Sequence, residues 1–129
     1  MNPATTDKTL MREILLAFWK VHILHHAAEG PVFGQWLIQE LYRHGYAISP
    51  GTLYPLLKRM QRNGWLCCEV APGGGPRARR SYTLTPRGRE VLDIVREKVE
   101  ELRREVLPVG PTDERWGGAV SYHATAEEV

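Results

Sequence analysis

Two neighbouring stretches decide the fold: Ser49-Pro-Gly-Thr-Leu-Tyr-Pro-Leu-Leu-Lys-Arg-Met-Gln-Arg-Asn-Gly-Trp-Leu66 and Arg77-Ala-Arg-Arg-Ser-Tyr-Thr-Leu-Thr-Pro-Arg-Gly-Arg-Glu-Val-Leu92. The first opens with serine followed by proline, an N-cap and a first helical residue. It closes on Asn63-Gly64, a helix stop. Between them Leu53, Leu56, Leu57 and Met60 repeat at helical spacing. The remaining positions carry Thr52, Tyr54, Pro55, Lys58, Arg59 and Arg62. The spacing predicts a helix to about Arg62, anchored by leucines, with a basic, hydroxyl-bearing outer surface. The second stretch begins as a strand, about Arg79 to Leu84, with Tyr82 and Leu84 on one side. It then repeats the cap-plus-proline start at Thr85-Pro86.

Working outward, Leu66, Cys68 and Val70 alternate with Trp65, Cys67 and Glu69, which predicts a partner strand. Pro72-Gly73-Gly74-Gly75-Pro76 joins the two as a flexible tip. After Thr85-Pro86 a helix extends to about Val106. Leu92, Val95, Val99, Leu102 and Val106 form a seam of two heptads among charged neighbours, suited to packing on another helix. Upstream, a helix runs from about Asp7 or Lys8 to Ala28. It is apolar on more than one side and so expects burial on more than one side. In a small domain that places one face on its own core and another on a second subunit. A shorter helix follows, from about Gly34 to Arg43, with Leu37, Ile38 and Leu41 as its inward stripe.

The expected fold is mainly α with a small β-hairpin. In order it comprises a flexible N-terminus (1–6), a winged helix-turn-helix DNA-binding domain (7–85), a C-terminal dimerisation helix (86–106) and a largely disordered tail (107–129).

The chain has 129 residues, 43% of them hydrophobic, and a net charge of only +2. That average hides a gradient. Residues 50–90 hold eight basic and two acidic side chains, whereas residues 91–129 hold five basic and nine acidic. The basic middle is the electrostatic footprint expected of a nucleic-acid partner. A helix of the outlined kind fits the major groove of double-stranded DNA, and its positive N-terminal end attracts phosphate. The contacts expected on DNA are Ser49, Gly51, Thr52, Tyr54, Pro55, Lys58, Arg59 and Arg62 on the helix, with Arg77, Arg79 and Arg80 on the wing. The dimer interface is expected at Leu15, Trp19, Leu92, Val95, Val99, Leu102 and Val106.

Other features exclude classes or leave options open. Cys67 and Cys68 are adjacent and offer no disulfide framework, which suits a reduced cytoplasmic protein. Lys20, His22, His25 and His26 interrupt the apolar stretch of the first thirty residues, so no membrane span is expected where about 20 apolar residues are needed. No phosphate loop, nucleophile elbow or zinc-protease motif is present, so neither an enzyme nor a cofactor is expected. Trp19 and Trp36 are core residues by type, and alternatively line a cleft for a small aromatic effector. His22 and His26 stand one helical turn apart. They either favour the helix C-terminal dipole or hold a metal ion, with a third ligand from Cys67, Cys68, Glu29 or His123.

Together the two quoted stretches resemble the PadR family of bacterial transcriptional regulators, through a helix containing G-T-L-Y-P-x-L, an arginine-and-tyrosine return strand and T-x-x-G. The resemblance covers about residues 10–106. It implies a winged-helix repressor that dimerises through its C-terminal helix and first helix. It also implies control of detoxification, efflux or stress genes, in some members through small aromatic ligands. Two alternatives keep the fold: a metal- or redox-responsive regulator using His22, His26 and a cysteine, and a winged-helix protein-interaction module that does not bind DNA.

Overall fold

A computed structural model describes residues 7–107. The expectations placed on residues 1–6 and 108–129, including His123 and nearly all of the tail, lie outside the described residues.

The first helix, α1, is three consecutive segments: α-helical Lys8–Leu10, π-helical Met11–Leu15 and α-helical Leu16–Glu29. Asp7 caps it by accepting from the amides of Thr9 and Leu10. Strand β1 (Val32–Phe33), α2 (Gly34–Arg43), α3 (Pro50–Arg62), β2 (Leu66–Val70), β3 (Arg80–Leu84) and α4 (Pro86–Val106) follow. Helix α3 starts as its sequence dictates. The Ser49 hydroxyl accepts from the Thr52 amide at 3.3 Å, and Pro50 occupies the first turn.

Helices α2 and α3 end alike. Past α2, the Gly45 amide bonds the Tyr42 carbonyl and the Tyr46 amide bonds the Leu41 carbonyl; past α3, Gly64 bonds Gln61 and Trp65 bonds Met60. This paired closure needs a left-handed residue, and Gly45 and Gly64 supply it with φ of 94° and 82°.

The hairpin of β2 and β3 has a third neighbour. Strand order is β1-β3-β2, all antiparallel, with Val32 opposite Tyr82 and Cys68 opposite Tyr82 from the other side. The sequence expectation held two strands, because two residues are too few to show an alternating pattern. The tip is also more ordered in outline than a plain loop, with a 3-10 turn at Gly75–Arg77.

The core lies where α1, α2 and α3 meet over the sheet. Trp19, Ile23, Leu24, Leu37, Leu41, Leu53, Leu57, Met60 and Leu92 are its fully buried large side chains. Burying each such side chain contributes roughly 1.5–3 kcal/mol. The T-x-x-G motif welds the sheet to this core. The Thr85 hydroxyl donates to the Gly64 carbonyl and accepts from the Gly88 amide, and the Thr85 amide donates to the Trp65 carbonyl. A Cβ on Gly88 would collide with the Trp65 carbonyl, so α4 can begin only with glycine there. The first compact unit therefore reaches past Thr85 to Leu92, and the second starts at Asp93, within α4. No described helix is long and apolar enough to cross a membrane.

Candidate nucleic-acid interface

Helix α3 turns its leucines inward and its chemistry outward. Leu53, Leu56, Leu57 and Met60 are buried, while Gly51, Tyr54, Pro55, Lys58, Arg59 and Arg62 are exposed. Tyr54, Lys58 and Arg62 follow one another at helical turns along that exposed side. Pro55 has no amide hydrogen to bond the Gly51 carbonyl, which frees that acceptor on the same exposed turn. Ser49 and Thr52 play a second part: Ser49 donates to the Thr52 hydroxyl at 3.3 Å, so both secure the helix start.

The wing closes a cleft of about 440 Å³ against this helix, lined by Phe33, Gly34, Trp36, Tyr54 and the wing residues from Pro76 to Arg80. Two residues that sequence reasoning missed shape it. Gly34 has no side chain, and a Cβ there would overlap the Tyr54 ring. Phe33 carries the Arg79 guanidinium 3.7 Å above its ring centroid. That cation–π contact orients Arg79, while Arg77 and Arg80 stay exposed. The only sequence signal for either was an aromatic-glycine pair at the start of α2.

Charge pairing neutralises several cations outside this surface. Arg43 pairs with Glu40, Arg87 with Glu90, and Arg103 and Arg104 with Glu100. Lys58, Arg59, Arg62, Arg77 and Arg80 have no carboxylate within 4.0 Å among the described residues. Unneutralised cations on a helix and an adjacent hairpin attract a polyanion. Beneath them Tyr82 is buried, and burial, reinforced by the Cys68 thiol, pushes its phenol up to about 12, so it stays neutral.

The remaining expected residues fall elsewhere. Leu15, Trp19 and Leu92 are packed inside the first unit, at 8%, 1% and 0% exposure. They are used by the protomer's own core. The apolar side chains left exposed on α1 are Ile14 and Phe18. On α4, Val99, Leu102 and Val106 are exposed and Val95 is half-buried. Trp19 packs edge-on against Tyr46 with centroids 5.9 Å apart, so an effector reaches its ring only by opening the core. Trp36 lies on the surface, and the cleft it lines does not include Trp19. His22 and His26 do come together, and the third group beside them is His44 on α2 rather than a cysteine.

This geometry agrees with comparisons to known proteins. The model of the PadR-like transcriptional regulator family matches residues 23–94. Transcriptional regulator Rv3488 of Mycobacterium tuberculosis is 55% identical over 97 residues, covering 75% of this chain and 90% of that protein. A PadR family regulator from Eggerthella lenta superposes with a TM-score of 0.62 at 29% identity, over 82% of this chain and 89% of the other. A PadR-like transcription factor from Bacteroides fragilis shares the fold, with a TM-score of 0.66 at 24% identity over 76% and 95% of the two chains. The winged helix with its glycine-seated tyrosine and unpaired basic face is thus that of a DNA-binding regulator rather than an enzyme, and the chain belongs to the PadR-like family of transcriptional regulators.

Proposed function

We propose that the chain is a homodimeric, sequence-specific repressor that works in the cytoplasm. Helix α3 enters the major groove, where Lys58, Arg59 and Tyr54 reach base edges and phosphates. Arg77, Arg79 and Arg80 follow the flanking backbone or the neighbouring minor groove. The observation that carries this is the clustering of Lys58, Arg59, Arg62, Arg77 and Arg80 on α3 and the wing with no acidic partner among the described residues. Dimerisation draws on exposed apolar rows, Ile14 and Phe18 on α1 and Val99, Leu102 and Val106 on α4. Occupying an operator then excludes the transcription machinery. By resemblance, the genes controlled serve detoxification, efflux or stress responses and are released by a small ligand.

Fluorescence anisotropy with the chain's own upstream DNA tests the reading across a salt series. The logarithm of affinity should fall linearly with the logarithm of salt, by about 0.9 per neutralised phosphate. Absence of binding even at low salt would overturn it and favour a module that presents the same basic face to an acidic protein.

A further inference from the structure

Where α1 meets the end of α2, four side chains converge that the DNA-facing surface does not use. His22 and His26 stand one turn apart on α1, and His44 caps the end of α2. Each offers one nitrogen within 4.8 Å of the others. Glu40, one turn before His44, directs its Oε2 to His44 Nε2 at 3.1 Å and to His26 Nε2 at 3.6 Å. Ligands held tetrahedrally at about 2.0–2.1 Å from Zn²⁺ stand about 3.3 Å apart. Glu40 already has that spacing to both His44 and His26, and the three histidine nitrogens lie within 4.8 Å of one another.

A second observation points to a ligand. The His26 side chain is only 11% exposed, and its Nε2 is buried without a hydrogen-bond partner. Its other nitrogen, Nδ1, faces Glu29 Oε1 at 3.3 Å. A carboxylate beside one ring nitrogen, with the other directed at Glu40, lets His26 ligate through Nε2. Metal-bound histidines are oriented in this way. Trp36 covers His26 edge-on at 5.2 Å, and Tyr46 covers His22 at 5.7 Å.

We propose that His22, His26 and His44, with Glu40, bind one divalent transition ion of the Zn²⁺ type. Imidazole and carboxylate donors select such ions over Mg²⁺ or Ca²⁺. Neither cysteine belongs to the cluster, so the site is not a thiol switch. The ion ties α1 to the C-terminal end of α2, and only the short link from Gly45 to Ile48 separates that end from Ser49, the cap of α3. Holding the link sets where the reading helix begins, which makes operator affinity metal-dependent. This coupling rests on the DNA-binding reading; the site itself does not.

The test uses untagged full-length protein freed of metal by a chelator. Zn²⁺ titration by calorimetry should show one ion per chain, with Mg²⁺ failing to bind. Changing the exposed His44→Ala should weaken Zn²⁺ affinity at least tenfold, and Glu40→Gln about 10- to 100-fold. Co²⁺ should give the visible absorption of a tetrahedral site in the wild type and lose it in His22→Ala/His26→Ala. Should that double variant fail to fold, His44→Ala and Glu40→Gln decide alone. Unchanged Zn²⁺ affinity in both would overturn the site. In anisotropy with upstream DNA, Zn²⁺ should shift Kd at least fivefold for the wild type and not for His44→Ala. DNA binding indifferent to Zn²⁺ would overturn the coupling and leave the site standing. No DNA binding under either condition would overturn the repressor reading instead.

Discussion

At Gly34 the space that a methyl group would fill is taken by the Tyr54 ring, so one glycine sets where that ring stands. Gly34→Ala forces the two apart, and overpacking of this kind costs roughly 1–3 kcal/mol. Because the clash is with one ring, the cost should largely vanish in a Tyr54→Ala background. Chemical denaturation of the four proteins of this cycle measures it, and simple additivity would show that Tyr54 is not what Gly34 accommodates. Arg80 makes a different case, since it has no acidic partner to lose. Arg80→Ala should weaken binding to all DNA sequences alike and reduce the salt slope by about 1. An unchanged slope would remove Arg80 from the phosphate contacts. The exposure of Tyr54, Lys58 and the wing arginines was legible in the sequence because residue type and spacing alone announce it. Gly34 and Phe33 were not, because each acts only through a contact made across the fold. The same holds for His44, which joins His22 and His26 only once α2 has docked on α1.

Elements show the same division between period and orientation. The apolar breadth of α1 announces a helix buried on two sides, but not which row faces inward. Packing resolves it: Leu15, Trp19 and Ile23 enter the core, while Ile14 and Phe18 one position away remain exposed. The π-helical turn at Met11–Leu15 lies in this region, and no 3.6-residue pattern discloses it. On α4 the heptad seam divides likewise. Leu92 is fully buried in the first unit, and Leu102 is half exposed. Two substitutions of the same kind should therefore behave differently. Leu102→Asp places a charge on the proposed subunit surface and should weaken dimerisation at least a hundredfold, about 3 kcal/mol. Leu92→Asp should instead unfold the domain. Sedimentation velocity and thermal melting separate them. A folded, dimeric Leu102→Asp protein would take α4 out of the interface.

For the whole molecule, the net charge of +2 is the least informative number in the composition. The excess of basic groups in residues 50–90 falls on α3, the wing and the start of α4, and most of it stays unpaired. The acidic excess begins with α4, where Glu100 pairs with both Arg103 and Arg104. Segregation of this kind concentrates attraction on the reading face and limits indiscriminate binding elsewhere. A two-fold dimer of such heads requires a two-fold target, with half-sites about 10 base pairs, or a multiple of that, from centre to centre. Selection of bound fragments from a random pool of double-stranded DNA tests this most directly. The expected result is one pseudo-palindromic motif with that spacing, lost when Lys58 and Arg59 are both replaced by alanine. Recovery of no enriched sequence at any salt concentration would contradict a sequence-specific regulator.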